Sequence, residues 1–209
     1  MMVMKTFVIA PPDMTERRRL CEERFSKCPV NPEFFNGLTG DVTGIASTKD
    51  DPAKPYSRLP PGKVALALNH WCLWQHIAMS NIQMSLIFED DVMIPEGFWR
   101  NFHERLGRTP ADWEIVYLGI TFPERLEDKR IRAEKLDGGV WRHQGMNAFD
   151  GTVDGTWAYM LSLSGAKKLA GVRFELDEPI DRWLTFRALT GLKTYIWHPS
   201  VINHVPHGV

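Results

Sequence analysis

Cysteine is scarce. Cys21, Cys28 and Cys72 make three in 209 residues, an odd and scattered set that excludes a disulfide framework and a thiolate metal cage. Reduced, cytosol-like surroundings are therefore expected. Long apolar runs are absent as well: nothing approaches the roughly 20 residues that cross a bilayer. The opening "MMVMKTFVIAPP" is too short for that and lacks a small-residue cleavage site, so it reads as a first strand rather than a leader. Net charge is nearly absent, −1 at pH 7 from 25 Lys and Arg against 26 Asp and Glu. Bulk attraction to nucleic acid or acidic lipid is thereby removed. A cytoplasmic protein is expected, free or at the cytoplasmic face of a membrane. Several chemical signatures are missing too. There is no Walker-type glycine loop, no G-x-G-x-x-G after the first strand, no G-x-S-x-G and no H-E-x-x-H. P-loop enzymes, dinucleotide dehydrogenases and hydrolases with a nucleophile motif all lose support.

What is present is ordinary for a globular chain, 44% hydrophobic and 24% charged, and long enough for one sizeable core. "KTFVIA" is β-branched and aromatic, and is stopped by Pro11 and Pro12, which cannot donate to a ladder. Thr15 to Lys27 has the spacing of an amphipathic helix, its three arginines most simply a solvated face. Val64 to Met79 is apolar nearly all round, which predicts a buried helix. Strands are expected over Met84–Phe88, Trp113–Ile120, Thr156–Leu161 and "KTYIWHP". Helices are expected over Glu96–Leu106, after a cap at Ser164, and over "DEPIDRWLTFRALTG". Long loops are expected at 41–61 and 122–151. Strands alternating with helices predict a single α/β domain over 1–209 with a mainly parallel central sheet flanked by helices.

The stretch "SLIFEDDVMIP" drives a hydrophobic strand into three successive carboxylates, Glu89, Asp90 and Asp91. Like charges beside a buried strand cost stability unless something positive stands against them. In α/β sheets ligands gather at the carboxyl ends of strands, so a hard divalent cation is one candidate partner. Arginine pairing or a turn cap is the other.

Five stretches in order, "GKVALALNHWCLW", "LIFEDDVMIP", "VYLG", "GTWAYMLSLSGAKKL" and "EPID", resemble glycosyltransferase family 25, the lipooligosaccharide and procollagen galactosyltransferase group. That family reads G-E-I-G-C-x-x-S-H-x-x-x-W, then E-D-D, then a Y-L-G-like strand, then G-T-x-A-Y with G-A-K-K-L, then P-I-D or P-V-D. Ala10 to Asp13 stand where it usually has N-L-D-R, and Ala65, Leu66 and Asn69 where it has Gly, Cys and Ser.

The resemblance implies a single-domain fold of the GT-A type and a hexosyltransferase that moves galactose or glucose from a UDP-sugar, with Mn²⁺ or Mg²⁺. It implies Asp91 as metal ligand, with Glu89 on the ribose side; one of the two tail histidines, His204 or His207, is a candidate to complete the ion's coordination. Asp90, Arg17 and His70 then border the donor. Inversion needs a base for the acceptor hydroxyl, and the resemblance points to Asp181, with Asp177 and Asp154 as substitutes. His70 reads equally as a hydrogen-bonded core histidine, Asp181 as a helix-terminus carboxylate, and His204 and His207 as tail residues. Flat rings suit hexose faces, which makes Trp157 and Trp183 candidates for the acceptor side. Expected partners are a nucleotide-sugar donor and a glycan, glycolipid or protein acceptor, as in lipopolysaccharide biosynthesis. Two other readings use the same residues: a catalytically degenerate glycan- or nucleotide-binding module, and a metal-dependent phosphohydrolase.

Overall fold

The computed structural model describes residues 4–12, 14–38, 59–147, 151–172, 178–185 and 191–204. The expected loop at 41–61 falls almost wholly outside these residues, as do Asp177 and His207. In chain order the strands are β1 (Met4–Ile9), β2 (Glu33–Phe35), β3 (Met84–Glu89), β4 (Val92–Met93), β5 (Ile115–Tyr117), β6 (Ile131–Lys135), β7 (Val140–Met146), β8 (Ala158–Ser162), β9 (Thr194–Trp197) and β10 (Asn203–His204). The helices are α1 (Thr15–Ser26), α2 (Pro61–Met79), α3 (Phe98–Arg108), α4 (Glu124–Glu127), α5 (Leu163–Gly171) and α6 (Ile180–Trp183).

Eight strands form one sheet in the order β2-β1-β3-β8-β5-β9-β7-β6, and β4 pairs with β10 in a separate ribbon. Both faces of the sheet are covered. Phe7, Ile9, Ile87, Tyr159 and Leu161 pack on one side against Val64, Leu73, Trp74 and Ile77 of α2. Val8, Leu86, Phe88 and Met160 pack on the other against Cys21 and Phe25 of α1 and Phe98 and Phe102 of α3. The alternation along each strand follows from side chains pointing to opposite faces. Continuous apolar runs in the sequence follow from the two covers.

The α/β layering is as expected, but the sheet is mixed, not mainly parallel. Three pairings are parallel, β1 with β2, β1 with β3 and β5 with β9. Four are antiparallel, because β8 runs backwards between β3 and β5 and because β6 and β7 form a hairpin docked on β9. An apolar run reports burial, not direction. The hairpin also replaces most of the loop expected at 122–151. Its strands carry Arg132, Glu134, Arg142 and His143, so their periodicity is too polar to read from sequence.

Two local details differ from expectation. Ser162, not Ser164, caps α5 by accepting a hydrogen bond from the Gly165 amide at 3.1 Å. Ser164 instead donates to Glu114 Oε1 at 2.6 Å. Buried Glu114 also accepts from Lys168 at 2.8 Å and from the Lys193 amide at 2.9 Å, tying α5 and the start of β9 to β5.

Candidate active site

The topology brings the carboxyl ends of β1, β3, β5 and β9 to one edge of the sheet, together with the start of the reversed β8. Ile9 and Glu89 are in register, and the Glu89 amide donates to the Trp157 carbonyl at 3.0 Å. The segment 153–157 therefore reaches the same edge as the carboxylate trio. Gly119 and Gly155 permit this approach. A Cβ on Gly155 would stand 2.6 Å from the Gly119 carbonyl oxygen, and one on Gly119 would stand 2.5 Å from the Trp157 ring.

At this edge lies a cavity of about 380 Å³. Glu89, Asp90 and Asp91 line one wall, Arg17 of α1 with Met14 just before it another, and Pro60, Gly62, Lys63, Leu66 and Asn69 at the N-terminal end of α2 a third. Asn69 is buried and exchanges two hydrogen bonds with the Leu38 backbone, which fixes the fourth side.

The three carboxylates have different surroundings. Glu89 lies 3.2 Å from Nε2 of His70, whose Nδ1 lies 2.9 Å from the Tyr159 hydroxyl. Trp74 Nε1 donates to that same hydroxyl at 2.8 Å. An indole only donates, so the Tyr159 proton is left for Nδ1, and Nε2–H then donates to Glu89. Burial alone would push the Glu89 carboxyl up. Hydrogen bonds from His70 and Thr156, with the charge of Lys63, outweigh it and hold Glu89 below the ordinary range. His70 is thus a core histidine that hydrogen-bonds a carboxylate lining the cavity.

Asp90 pairs with Arg17, and Asp91 Oδ2 lies 3.8 Å from the same guanidinium. Arg24 donates to the Asp90 and Val92 carbonyls at 3.2 Å each, which pins the turn. Arg17 is thus the exception on a helix whose Arg18 and Arg19 do pair at the surface. Burial, with Asp91 and Glu89 adding repulsion against Arg17, pushes the Asp90 carboxyl up to about 6. Asp90 Oδ2 is buried with no hydrogen-bond donor among the described residues.

One guanidinium against two carboxylates leaves negative charge at this wall, and hard oxygen donors suit Mn²⁺ or Mg²⁺. Among the described residues no three His, Cys, Asp or Glu side chains converge to hold an ion. Two carboxylates with the remaining positions left to phosphate oxygens is a common Mg²⁺ arrangement, so the residues present fit the group on that condition. His204 stands opposite Val92 in the β4–β10 ribbon, one residue from Asp91, and its ring lies 5.4 Å from that of Trp157.

Asp181 and Asp154 form a second acidic pair. Asp181, in the first turn of α6, accepts from the Arg182 amide at 2.8 Å. The Thr185 hydroxyl donates to the Asp181 carbonyl at 3.1 Å and accepts from the Val153 amide at 3.0 Å, linking this helix to the segment carrying Asp154. Arg125 pairs with Asp154 at 2.6 Å and also donates to Thr152. Burial, then repulsion from Asp154, raises the Asp181 carboxyl above the ordinary range; Lys63 opposes this. Buried Tyr117 has its hydroxyl pushed far up by burial and by the same two carboxylates.

The tryptophans part company. Trp157, 7% exposed, lies against Gly119 and His204 at the site edge. Trp183 is 1% exposed and stacks on Trp74 with centroids 6.1 Å apart. The expectation of an acceptor contact at Trp183 is thereby corrected: it is core, because α6 lays that face on α2. Sequence reasoning missed Lys63, Arg125, Thr156, Tyr117 and Tyr159. Tyr159 sat in the G-T-x-A-Y stretch. Thr156 sat there too, Lys63 in "GKVALALNHWCLW" and Tyr117 in "VYLG"; only Arg125 carried no local signal.

Residues 3–184 match the family model described as Glycosyltransferase family 25 (LPS biosynthesis protein). The chain is 27% identical to procollagen galactosyltransferase 2 of Mus musculus over 141 residues, 62% of this chain and 20% of that protein. It is 32% identical over 140 residues to the inactive glycosyltransferase 25 family member 3 of Homo sapiens, 62% of this chain and 21% of that protein. A putative glycosyltransferase of Haemophilus influenzae is 26% identical over 170 residues, 78% of this chain and 58% of that one. The chain thus spans about a fifth of the animal relatives and somewhat over half of the bacterial one. Among solved structures, A197 from STIV shares the fold at TM-score 0.51 and 10% identity, covering 98% of this chain and 86% of that chain.

Proposed function

The chain belongs to glycosyltransferase family 25, and from that premise we propose that it transfers galactose or glucose from a UDP-sugar to a hydroxyl of a glycan, glycolipid or protein, with inversion. The observation that carries this reading is the cavity at the carboxyl ends of β1 and β3, walled by Glu89, Asp90 and Asp91 on one side and by Lys63 on the other.

Each residue has a distinct task in this mechanism. Glu89, fixed by His70 and Thr156, accepts ribose hydroxyls. Asp91 and Asp90 would hold Mn²⁺ or Mg²⁺, with the remaining positions left to phosphate oxygens; His204, in the neighbouring ribbon, does not converge with them on one ion. Such an ion, when bound, supplies positive charge to the departing diphosphate. Arg17 keeps the two aspartates from repelling each other before the donor arrives. Asp181 takes the proton of the acceptor hydroxyl as that oxygen attacks the anomeric carbon. A carboxyl raised by burial is a stronger base than a surface aspartate, which suits this task. Asp154, locked by Arg125, faces the acceptor beside it, and Trp157 borders the same region.

The test is a panel of nucleotide sugars, each scored for Mn²⁺-dependent thermal stabilisation and then for sugar transfer to candidate acceptors. UDP-galactose or UDP-glucose should stabilise the protein and donate. Failure of every nucleotide sugar to bind would refute the proposal. The inactive relatives favour one rival, a binding module of the same fold: donor binding without transfer to any acceptor would establish it. Rapid release of phosphate without an acceptor would instead favour a phosphohydrolase.

A further inference from the structure

Among the described residues two cations line the cavity, Arg17 and Lys63, and they are differently engaged. Arg17 is committed to Asp90 and Asp91. Lys63 is exposed at the third position of α2, and among the described residues no carboxylate lies within 4.0 Å of its ammonium. The 19-residue helix behind it starts with Pro61, has no acidic residue in its first turn and has no side-chain cap. Its positive dipole end therefore opens onto the cavity through Pro60, Gly62 and Lys63. Beside Gly62 there is room: a Cβ there would meet nothing within 4 Å. Across the cavity stands Asp90, 5% exposed, with Oδ2 lacking a donor. A ligand that completes both walls must present an anion to Lys63 and a cation or hydrogen-bond donor to Asp90.

We propose that Lys63 is the diphosphate anchor of this cavity and makes it select nucleoside diphosphates over monophosphates; this rests on the nucleotide-sugar reading above. A lysine ammonium is a compact point charge that binds phosphate without demanding one geometry. It gains most from the ligand with the most phosphate charge within its reach. The helix dipole adds in the same direction, and a monophosphate ester held at the nucleoside end offers less charge to either. The charge of Lys63 also acts on Glu89, helping to hold that carboxyl low, and on Asp181, opposing the rise that burial and Asp154 impose.

The experiment is calorimetric titration of the whole chain with UDP, UMP, uridine and inorganic pyrophosphate, with Mn²⁺ and with chelator. Lys63→Ala, Lys63→Arg and a remote control, Lys27→Ala, are compared with the unaltered protein. Losing one charge-assisted phosphate contact should weaken UDP and pyrophosphate by roughly tenfold to a hundredfold in Lys63→Ala. Uridine should change by less than about twofold and UMP by an intermediate factor. Lys63→Arg should restore most of the loss, and Lys27→Ala should bind as the unaltered protein does. Lys63→Ala that binds UDP normally, while the unaltered protein also binds it, overturns the role of Lys63 and leaves the transferase reading standing. Equal weakening by Lys27→Ala does the same, because it reduces the effect to net charge. Absence of UDP binding by the unaltered protein in every condition overturns both.

Discussion

His70 and Glu89 are joined across the boundary between core and cavity: the imidazole is fully buried, and its Nε2 lies 3.2 Å from a carboxylate oxygen that lines the cavity. Behind it stand Tyr159 and Trp74, each hydrogen-bonded in turn. The ionised state of Glu89 is therefore maintained from inside the protein, not by solvent.

Tyr159→Phe tests that chain. It keeps the ring and removes the hydroxyl, so Trp74 Nε1 and His70 Nδ1 both lose a buried partner. The expected cost is about 2–4 kcal/mol, read as a lower urea midpoint at unchanged m-value. Nucleotide affinity should fall as well, since His70 is then free to turn away from Glu89. An unchanged midpoint would show that the hydroxyl is not satisfying those groups.

Asp181→Asn should remove transfer while sparing donor binding, because the amide keeps the hydrogen bond from the Arg182 amide but takes no proton. Stability should move the other way. Burial and Asp154 raise this carboxyl, so between the ordinary aspartate range and the raised value the folded chain binds a proton that the unfolded chain has released. Stability contributed by this group is full at low pH and is lost as pH rises through that window. Asp181→Asn should accordingly gain in Tm relative to the unaltered protein at neutral pH and lose that gain in acid. The acid limb of kcat in the unaltered protein should lie above the ordinary carboxylate range.

Asp91→Asn should abolish turnover and Mn²⁺-dependent UDP binding with the fold intact, measured by calorimetry and circular dichroism. Normal turnover in that protein would refute the metal assignment. Its Tm should change little or rise, because one member of a like-charged pair around Arg17 is removed.

Gly119→Ala should be costly for its size. The added methyl would stand 2.5 Å from the Trp157 ring and 2.6 Å from Ser200 Oγ, so the ring must shift. A loss of about 1–3 kcal/mol in urea unfolding is expected. Because Trp157 carries the carbonyl that anchors the Glu89 amide, the donor affinity should fall too.

Much of the fold was legible. Proline stops after β1, the all-round apolar pattern of α2 and the runs at β3, β5 and β8 are local signals of burial, and burial is what a sequence reports most directly. The E-D-D stretch was legible as a site because three adjacent carboxylates at a strand end need an outside explanation. Strand direction was not legible, since β8 is as apolar running backwards as it would be running forwards. Nor was the β6–β7 hairpin, whose charged, exposed strands offer little periodicity.

The sequence by itself determined the layered α/β architecture, the buried helix behind the site and the carboxylate wall at Glu89 to Asp91, because each depends on neighbours within one element. Only the tertiary structure decided which residues share the cavity. Arg17 is opposite Asp90, Lys63 faces the trio, and His70 reaches Glu89 through space across separations of up to 73 residues. It also moved Trp183 from a candidate sugar contact into the core and left Trp157 at the edge. The physical reason is that charge pairing and side-chain burial are set by distance in the folded chain, and a sheet that reverses one strand brings together ends that the sequence keeps apart.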